Sequence, residues 1–240
     1  MALPKIDVPT YEMTVPSSGK TITVRPFSVK EEKLLLIALE SKDTNEIVNT
    51  VKQVVNNCIV KGEFNVDKSP FFDVDYLFIA LRAKSIGEKV GVKLSCNNVL
   101  EDGETCGEVF GAEMDIRNCD ILDEGVPNDI KLGGDKGVRM KYPGYGAMKR
   151  LDTGLEIDRK IDMVIQSIDF IYDKDGTYPA RDQTKEDLQE FIEALTEENF
   201  RKLEEFVDNF PTFAVRIEAD CPKCGFHHNV RYTDFADFFL

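Results

Sequence analysis

The sequence predicts an α+β protein in which helical lobes surround a small antiparallel sheet. Two stretches show capping residues and helical apolar spacing, and the stretches between them alternate like strands. Two cysteine pairs, Cys96 with Cys106 and Cys221 with Cys224, lie near the tips of predicted hairpins. Four such thiols are the ligand set of structural zinc. We therefore predict a zinc-ribbon-like module with four cysteine ligands, built from two hairpins that are distant in sequence.

The 240 residues divide into five segments, which we expect to form one compact, discontinuous unit. They are an extended arm and hairpin (1–27), an N-terminal helical lobe (28–85), β-hairpins with the first half of the zinc ribbon (86–145), a C-terminal acidic helical lobe (146–211), and the second half of the ribbon with an aromatic tail (212–240).

Composition sets the broad class of the protein. Apolar residues make up 42% of the chain, which is ordinary for a globular protein. No apolar run approaches the roughly 20 residues that cross a bilayer, and the first residues lack the pattern of a signal peptide. We therefore expect a cytoplasmic protein without membrane contact, whose six cysteines are reduced thiols or metal ligands.

The net charge of −14 indicates the class of partner. An acidic chain repels phosphate backbones and favours solubility or basic partners. The charge therefore argues against nucleic acid as a partner, although zinc ribbons often bind nucleic acid.

The N-terminal segment begins with alternating residues on both sides of Pro16–Gly19, which predicts a hairpin. The residues before it form either an arm that docks on a partner or a frayed terminus. Ser28 and Glu31 form a capping box for a helix that reaches about Glu40.

Two further helices follow in the N-terminal lobe. Asp43 is the predicted cap of the second helix, whose apolar face includes Cys58 as a core thiol. Asp73 is the predicted cap of the third helix, which ends near Ser85.

The middle of the chain is predicted to be mainly strands. Alternating residues lead into Cys96 and follow Cys106. Further strands are expected at 129–132 and 138–142, joined by the glycine-rich stretch 133–137. Because no helix follows this stretch and its residue order is not that of a P-loop, we interpret it as a hairpin turn.

The C-terminal lobe combines amphipathic helices with an acidic outer surface. An apolar helical segment runs from Leu155 to Ile168 and passes into 169–172, and Thr184 and Thr196 open two more helices. Acidic residues line their outer faces, among them Glu190, Glu197 and Glu204. This face is either simply solvated or a docking surface for a basic partner.

The aromatic tail offers a second candidate contact. Its residues include Phe235, Phe238 and Phe239. So much apolar surface needs a neighbour. The tail therefore packs either on the chain's own helices or on a partner.

The two cysteine pairs differ in spacing. Two residues separate Cys221 from Cys224, as in a metal-binding knuckle, whereas nine residues separate Cys96 from Cys106. The alternative is that only the downstream pair matters, as a remnant or a redox pair, but a redox pair normally opens a helix after a strand. His227 and His228 could replace a ligand; with four cysteines present, we expect them to be surface residues.

No catalytic constellation is evident. The sequence contains neither an HExxH helix nor a GxSxG elbow. Its two histidines both lie beside the downstream cysteine pair. We therefore expect a protein that is not an enzyme, with zinc in a structural role.

Three stretches together resemble a known family, the baseplate hub assembly proteins of T4-like contractile-tailed bacteriophages. They are Thr21–Lys33 (TITVRPFSVKEEK), Tyr76–Ser85 (YLFIALRAKS), and the order of landmarks from Ser167 through Phe210-Pro211 and Cys221–Cys224 to Phe239.

The resemblance implies a non-enzymatic role in building the central hub of a phage tail baseplate, as an assembly factor, a chaperone or a minor hub subunit. The partners would be other tail and baseplate hub proteins. The implied location is the host cytoplasm during assembly, and the tail baseplate of the virion if the protein stays in the particle. The competing hypothesis is a zinc-ribbon adaptor of nucleic-acid or transcription machinery.

Overall fold

The computed structural model describes residues 7–150, 156–233 and 238. Its α-helices are α1 (Val29–Ser41), α2 (Thr44–Cys58), α3 (Phe71–Ser85), α4 (Glu156–Ser167), α5 (Lys185–Glu193) and α6 (Glu197–Asp208). Its strands are β1 (Tyr11–Thr14), β2 (Thr21–Val24), β3 (Ile59–Lys61), β4 (Lys89–Ser95), β5 (Val109–Asp115), β6 (Cys119–Leu122), β7 (Asp129–Gly133), β8 (Lys136–Met140), β9 (Ile168–Tyr172), β10 (Thr177–Pro179), β11 (Thr212–Asp220) and β12 (His227–Tyr232).

The predicted α+β class is confirmed. The described strands form small antiparallel sheets with the orders β1-β2-β3, β10-β9-β8-β7, β12-β11-β6 and β4-β5. No helix within the described residues is long and apolar enough to cross a membrane.

The chain forms two compact units, and each is discontinuous in sequence. The first unit contains the chain up to Phe64, Phe72–Leu122 and the part from Thr212 onward, while the second contains Asn65–Phe71 and Asp123–Pro211. The division into five segments that the sequence suggests stays a prediction.

The first unit contains α1 to α3 and three of the sheets. The predicted hairpin around Pro16–Gly19 is confirmed as β1 and β2. The sheet β12-β11-β6 joins strands from distant parts of the chain, because β6 pairs with β11 antiparallel and places Leu122 opposite Thr212.

The second unit packs three helices and a four-stranded sheet around its own core. Its buried residues are Ile130, Val138, Met140, Val164, Ile165, Ile168, Leu188, Ile192, Leu203 and Phe206. The glycine-rich stretch forms the tight turn between β7 and β8, as predicted. Gly137 has no room for a side chain, since a Cβ there would lie 2.1 Å from the Tyr172 hydroxyl oxygen.

Local capping signals placed four helix starts correctly, with Ser28, Asp43, Thr184 and Thr196 as the N-caps of α1, α2, α5 and α6. Ser28 with Glu31 and Thr184 with Asp187 both form capping boxes. The predicted cap of α3 is wrong, because the helix begins at Phe71 and lies partly before Asp73. The Asp73 carboxylate instead accepts hydrogen bonds from the backbone N–H and the hydroxyl of Ser17 in the β1–β2 turn.

The C-terminal helical prediction also needs a correction. The helix α4 ends at Ser167, and Ile168–Tyr172 forms strand β9 between β8 and β10. Leu155 lies outside the described residues. The run Ile-Asp-Phe-Ile-Tyr is β-branched and aromatic, which favours a strand.

An ion pair between the partly exposed Arg25 and the buried Glu31 fixes the start of α1. Glu31 is 3% exposed, and its carboxylate accepts hydrogen bonds from Arg25 Nη2 at 2.9 Å and from the Ser28 N–H at 2.8 Å. Burial opposes ionisation of Glu31, but the hydrogen bonds from Arg25 and Ser28 outweigh it and lower its pKa to about 2. The charged form therefore stabilises the folded state.

Replacing the charge tests this account. We expect Glu31→Gln to lower the free energy of unfolding at pH 7 by about 2 kcal/mol. The folded pKa lies below the unfolded value of about 4.3, so the stabilisation is complete above that value and is lost as the pH falls towards 2. Urea unfolding at several pH values should show the gap between variant and parent narrowing over this range.

Glu63→Gln serves as the control, because Glu63 is exposed and its loss should change stability little at any pH. A gap for Glu31→Gln that stays constant from pH 7 to pH 2 would contradict the role of the charge.

Candidate metal centre

The two cysteine pairs occupy equivalent places in two hairpins. Cys96 directly follows β4 and Cys221 directly follows β11. Cys106 lies three residues before β5, and Cys224 lies three residues before β12. Each pair therefore stands at the turn between two antiparallel strands, as the sequence predicted.

The downstream pair forms a tight turn closed by backbone hydrogen bonds. The Cys221 N–H donates to the Phe226 carbonyl at 2.9 Å, and the Gly225 N–H donates to the Cys221 carbonyl at 2.9 Å. Gly225 has a φ of 72°, a conformation that glycine adopts without steric cost. These features bend the chain so that both thiols face the same side.

The upstream pair repeats this pattern. The Cys96 N–H donates to the Glu108 carbonyl at 2.8 Å, and the Gly107 N–H donates to the Cys96 carbonyl at 3.0 Å. Gly107 has a φ of 65° and follows the second cysteine, as Gly225 does. The base of the upstream turn is therefore built like the downstream one, despite the different spacing.

The residues between Cys96 and Cys106 close on themselves. The Cys106 N–H donates to the Asn98 carbonyl at 2.8 Å, and the Leu100 N–H donates to the Glu104 carbonyl at 2.8 Å. The extra residues thus form a small loop of their own beyond the turn. For this reason the longer spacing does not separate the two thiols.

The four cysteine sulfurs converge in one place. Cys96 Sγ lies 3.6 Å from Cys224 Sγ, and Cys106 Sγ lies 3.9 Å from Cys221 Sγ. All four ligand atoms are within 4.8 Å of one another, and all four thiols are free. Tetrahedral zinc with Zn–S bonds of about 2.3 Å holds sulfurs about 3.8 Å apart. The cluster is therefore compatible with a four-thiolate metal site.

Backbone hydrogen bonds lower the pKa of the cysteine thiols, whereas burial raises it. The Phe226 N–H donates to Cys224 Sγ and lowers the pKa of this thiol to about 7. Burial raises the pKa of Cys96 to about 12. Without a cation the buried thiol stays protonated, whereas a bound divalent cation stabilises the deprotonated form of all four ligands.

Two polar side chains lie close to the cluster. Asn98 Nδ2 is 3.6 Å from Cys224 Sγ, so the extra loop contributes a donor to a sulfur. Lys223 Nζ donates to the Cys106 carbonyl at 3.1 Å and ties one turn to the other.

The histidines are not part of the cluster. His227 is exposed, and its Nδ1 lies 2.8 Å from Asp220 Oδ1. The expectation that His228 is a surface residue is wrong, because it is 5% exposed and its ring packs against Phe110 and Phe226. Alternation along β12 turns its side chain inward, and within the described residues the potential metal-binding group consists of the four cysteines alone.

The predicted acidic contact residues are separate from the cysteine cluster in sequence and have different surroundings. Glu190 is exposed on α5. Glu197 pairs with Arg201 at 2.7 Å, and Glu204 pairs with Lys160 of α4 at 3.6 Å. Part of the acidic face is therefore balanced by basic residues of the same chain.

The aromatic tail is only partly described. Phe238 is fully buried, and its ring meets Phe213 of β11 edge to face at a centroid distance of 5.5 Å. The chain itself therefore covers this ring. Phe235 and Phe239 lie outside the described residues.

The sequence contains a further signal of the upstream turn. The dipeptide Cys-Gly occurs at both second ligands, as Cys106-Gly107 and Cys224-Gly225. The glycine after the second cysteine marks the left-handed residue that closes the turn. This repeat identifies Cys106 as a ligand candidate independently of its distance from Cys96.

Comparison with known proteins places the chain in a family. No curated protein and no solved structure matches the chain significantly. The family model described as "T4 bacteriophage base plate protein" matches residues 8–240. Since this match covers nearly the whole sequence, the chain belongs to the T4 bacteriophage base plate protein family.

Proposed function

We propose that Cys96, Cys106, Cys221 and Cys224 bind one zinc ion in a closed tetrahedral site of a zinc-ribbon-like module. The convergence of four free thiols at distances suited to zinc supports this proposal. Four protein ligands leave no position for water or substrate, so the role of the metal is structural.

The metal would join two hairpins that are far apart in the sequence. Cys106 and Cys221 are separated by 115 positions. The β4–β5 hairpin forms a two-stranded sheet by itself, and an isolated two-stranded sheet is marginally stable in water. Bound zinc would fix this hairpin to β11 and β12.

For the whole chain we propose a structural, non-enzymatic part in the assembly of the baseplate central hub, as an assembly factor, a chaperone or a minor subunit. The observation that carries the proposal is the family match over residues 8–240. Its partners are other baseplate and tail proteins, which it meets in the host cytoplasm during assembly.

The surface of the cysteine module does not suit the competing role in nucleic-acid machinery. The extra loop presents Glu101, Asp102 and Glu104, all exposed, while Lys223 is the basic residue of the downstream turn. Nucleic-acid ribbons carry a basic face, because phosphate contacts supply much of their affinity. The charge of this module therefore favours protein partners.

Co-purification from infected cells tests the assembly role. We expect a tagged chain to bring down baseplate or tail proteins, and the purified chain to show no salt-dependent binding to DNA or RNA. Mass spectrometry of mature particles then separates a retained subunit from a factor that leaves. Capture of transcription proteins together with steep salt-dependent nucleic-acid binding would contradict the proposal and favour the adaptor.

Elemental analysis tests the metal site directly. We expect about one zinc per chain and loss of this zinc in Cys106→Ser and Cys221→Ser. Chelation should also lower the thermal midpoint, because metal-binding energy contributes to folding. His227→Gln is the matched control and should keep its zinc, since this ring pairs with Asp220. Metal-free protein that retains its full stability would refute the structural role.

Shortening the upstream loop tests why the long spacing is tolerated. We expect a variant in which Pro-Lys replaces residues 97–105 to keep its zinc, because both turns are closed by the same hydrogen bonds. A cobalt-substituted sample should retain the visible spectrum of a tetrahedral thiolate site. Loss of metal from this variant alone would show that the loop, through groups such as Asn98, is required for binding.

A further inference from the structure

Helix α1 carries more apolar residues than its own chain can cover. Residues 34–39 read Leu-Leu-Leu-Ile-Ala-Leu, and six consecutive positions go all the way round a helix. Packing in the first unit buries Leu35 and Ala38 on one side. On the opposite side Leu36 is 45% exposed and Ile37 is 52% exposed.

The exposed residues form one continuous face. Val29, which is 80% exposed, lies on it together with Lys33, Leu36, Ile37 and Glu40, at spacings that keep all five on one side of a helix. We call these five residues the outer face of α1. The inner face is held in place by the buried Glu31 and its bonds to Arg25, so the helix cannot rotate to hide the outer face.

The two charges on this face have no ion-pair partner among the residues that the structure describes. The side chains of Lys33 and Glu40 are exposed and make no ion pair within the described residues. They stand seven positions apart, about 10 Å along the helix axis, so they cannot pair with each other. Each is therefore free to meet an opposite charge on another molecule.

The arrangement is self-complementary. Positions 33 and 40 are equally distant from the point midway between Leu36 and Ile37. If a two-fold axis passes through that point, the two copies of α1 lie antiparallel. Lys33 of each copy then lies opposite Glu40 of the other. The same axis brings the Leu36 and Ile37 side chains of both copies together at the centre.

We propose that the outer face of α1 is a self-association surface, at which a second copy of this chain docks antiparallel through an apolar centre flanked by two Lys33–Glu40 ion pairs. The charge complementarity selects a second copy, since each copy supplies the lysine of one pair and the glutamate of the other. A single helix pair is a small contact, so the complex is a weak, reversible dimer. The proposal is independent of the zinc site and of the role in the baseplate.

Sedimentation equilibrium of the full chain over a wide range of concentrations tests the proposal. We expect a monomer–dimer equilibrium, which Ile37→Asp shifts to monomer without changing the thermal midpoint, because this side chain faces solvent in the single chain. A chain that stays monomeric at every concentration overturns the proposal. So does a dimer that persists in Ile37→Asp.

Charge exchange tests the antiparallel register. Lys33→Glu and Glu40→Lys each place like charges opposite one another, and we expect each to weaken the dimer by about tenfold. The double variant restores both pairs in reverse and should recover the original dissociation constant to within about threefold. Failure of the double variant to recover overturns the proposed register.

Lys93→Glu and Glu63→Lys make the same charge changes on exposed side chains outside α1. They should leave the dimer unchanged. An equal weakening by these controls would mean that net charge, and not the outer face of α1, governs association.

Discussion

The convergence of the four cysteine side chains from two distant turns is the constraint on which the first unit depends. Bringing Cys106 and Cys221 together closes 115 positions of chain, at an entropic cost of about 4 kcal/mol plus a constant. Structural zinc contributes on the order of 10 kcal/mol. A bound ion would therefore exceed the cost of closure, and it would hold the β4–β5 hairpin, whose two strands pair at seven positions, to the turn after β11.

The pairing of β6 with β11 explains how the larger part of the second unit can be inserted into the first. The chain passes from Leu122 at the end of β6 into Asp123–Pro211 and re-enters at Thr212, and Leu122 and Thr212 are cross-strand partners in one sheet. An insertion whose ends are adjacent disturbs its host little. Since Cys221 directly follows β11, the cysteine turn and the strand pairing hold the returning chain at both ends of the same strand.

Features set by neighbouring residues could be predicted from the sequence, and features set by distant residues could not. The capping box at Ser28 is complete within four residues, so its pattern predicts the helix start. Asp73 carries the same kind of signal, but Ser17, 56 positions away, binds its carboxylate. Likewise β6 has four residues, and among the described strands its partner is the far-downstream β11.

Self-association of an acidic chain requires local complementarity to outweigh net repulsion. Each copy carries a net charge of −14, which opposes approach at long range. At physiological salt the Debye length is about 8 Å, so charges beyond the contact are largely screened. The unscreened interactions are those at the contact between the two helices. There Lys33 supplies the positive charge, and Leu36 and Ile37 supply apolar area. The affinity of the dimer therefore depends on a few residues of α1. It should rise with salt while the salt screens the net repulsion between the copies, and fall again once the salt also screens the Lys33–Glu40 ion pairs.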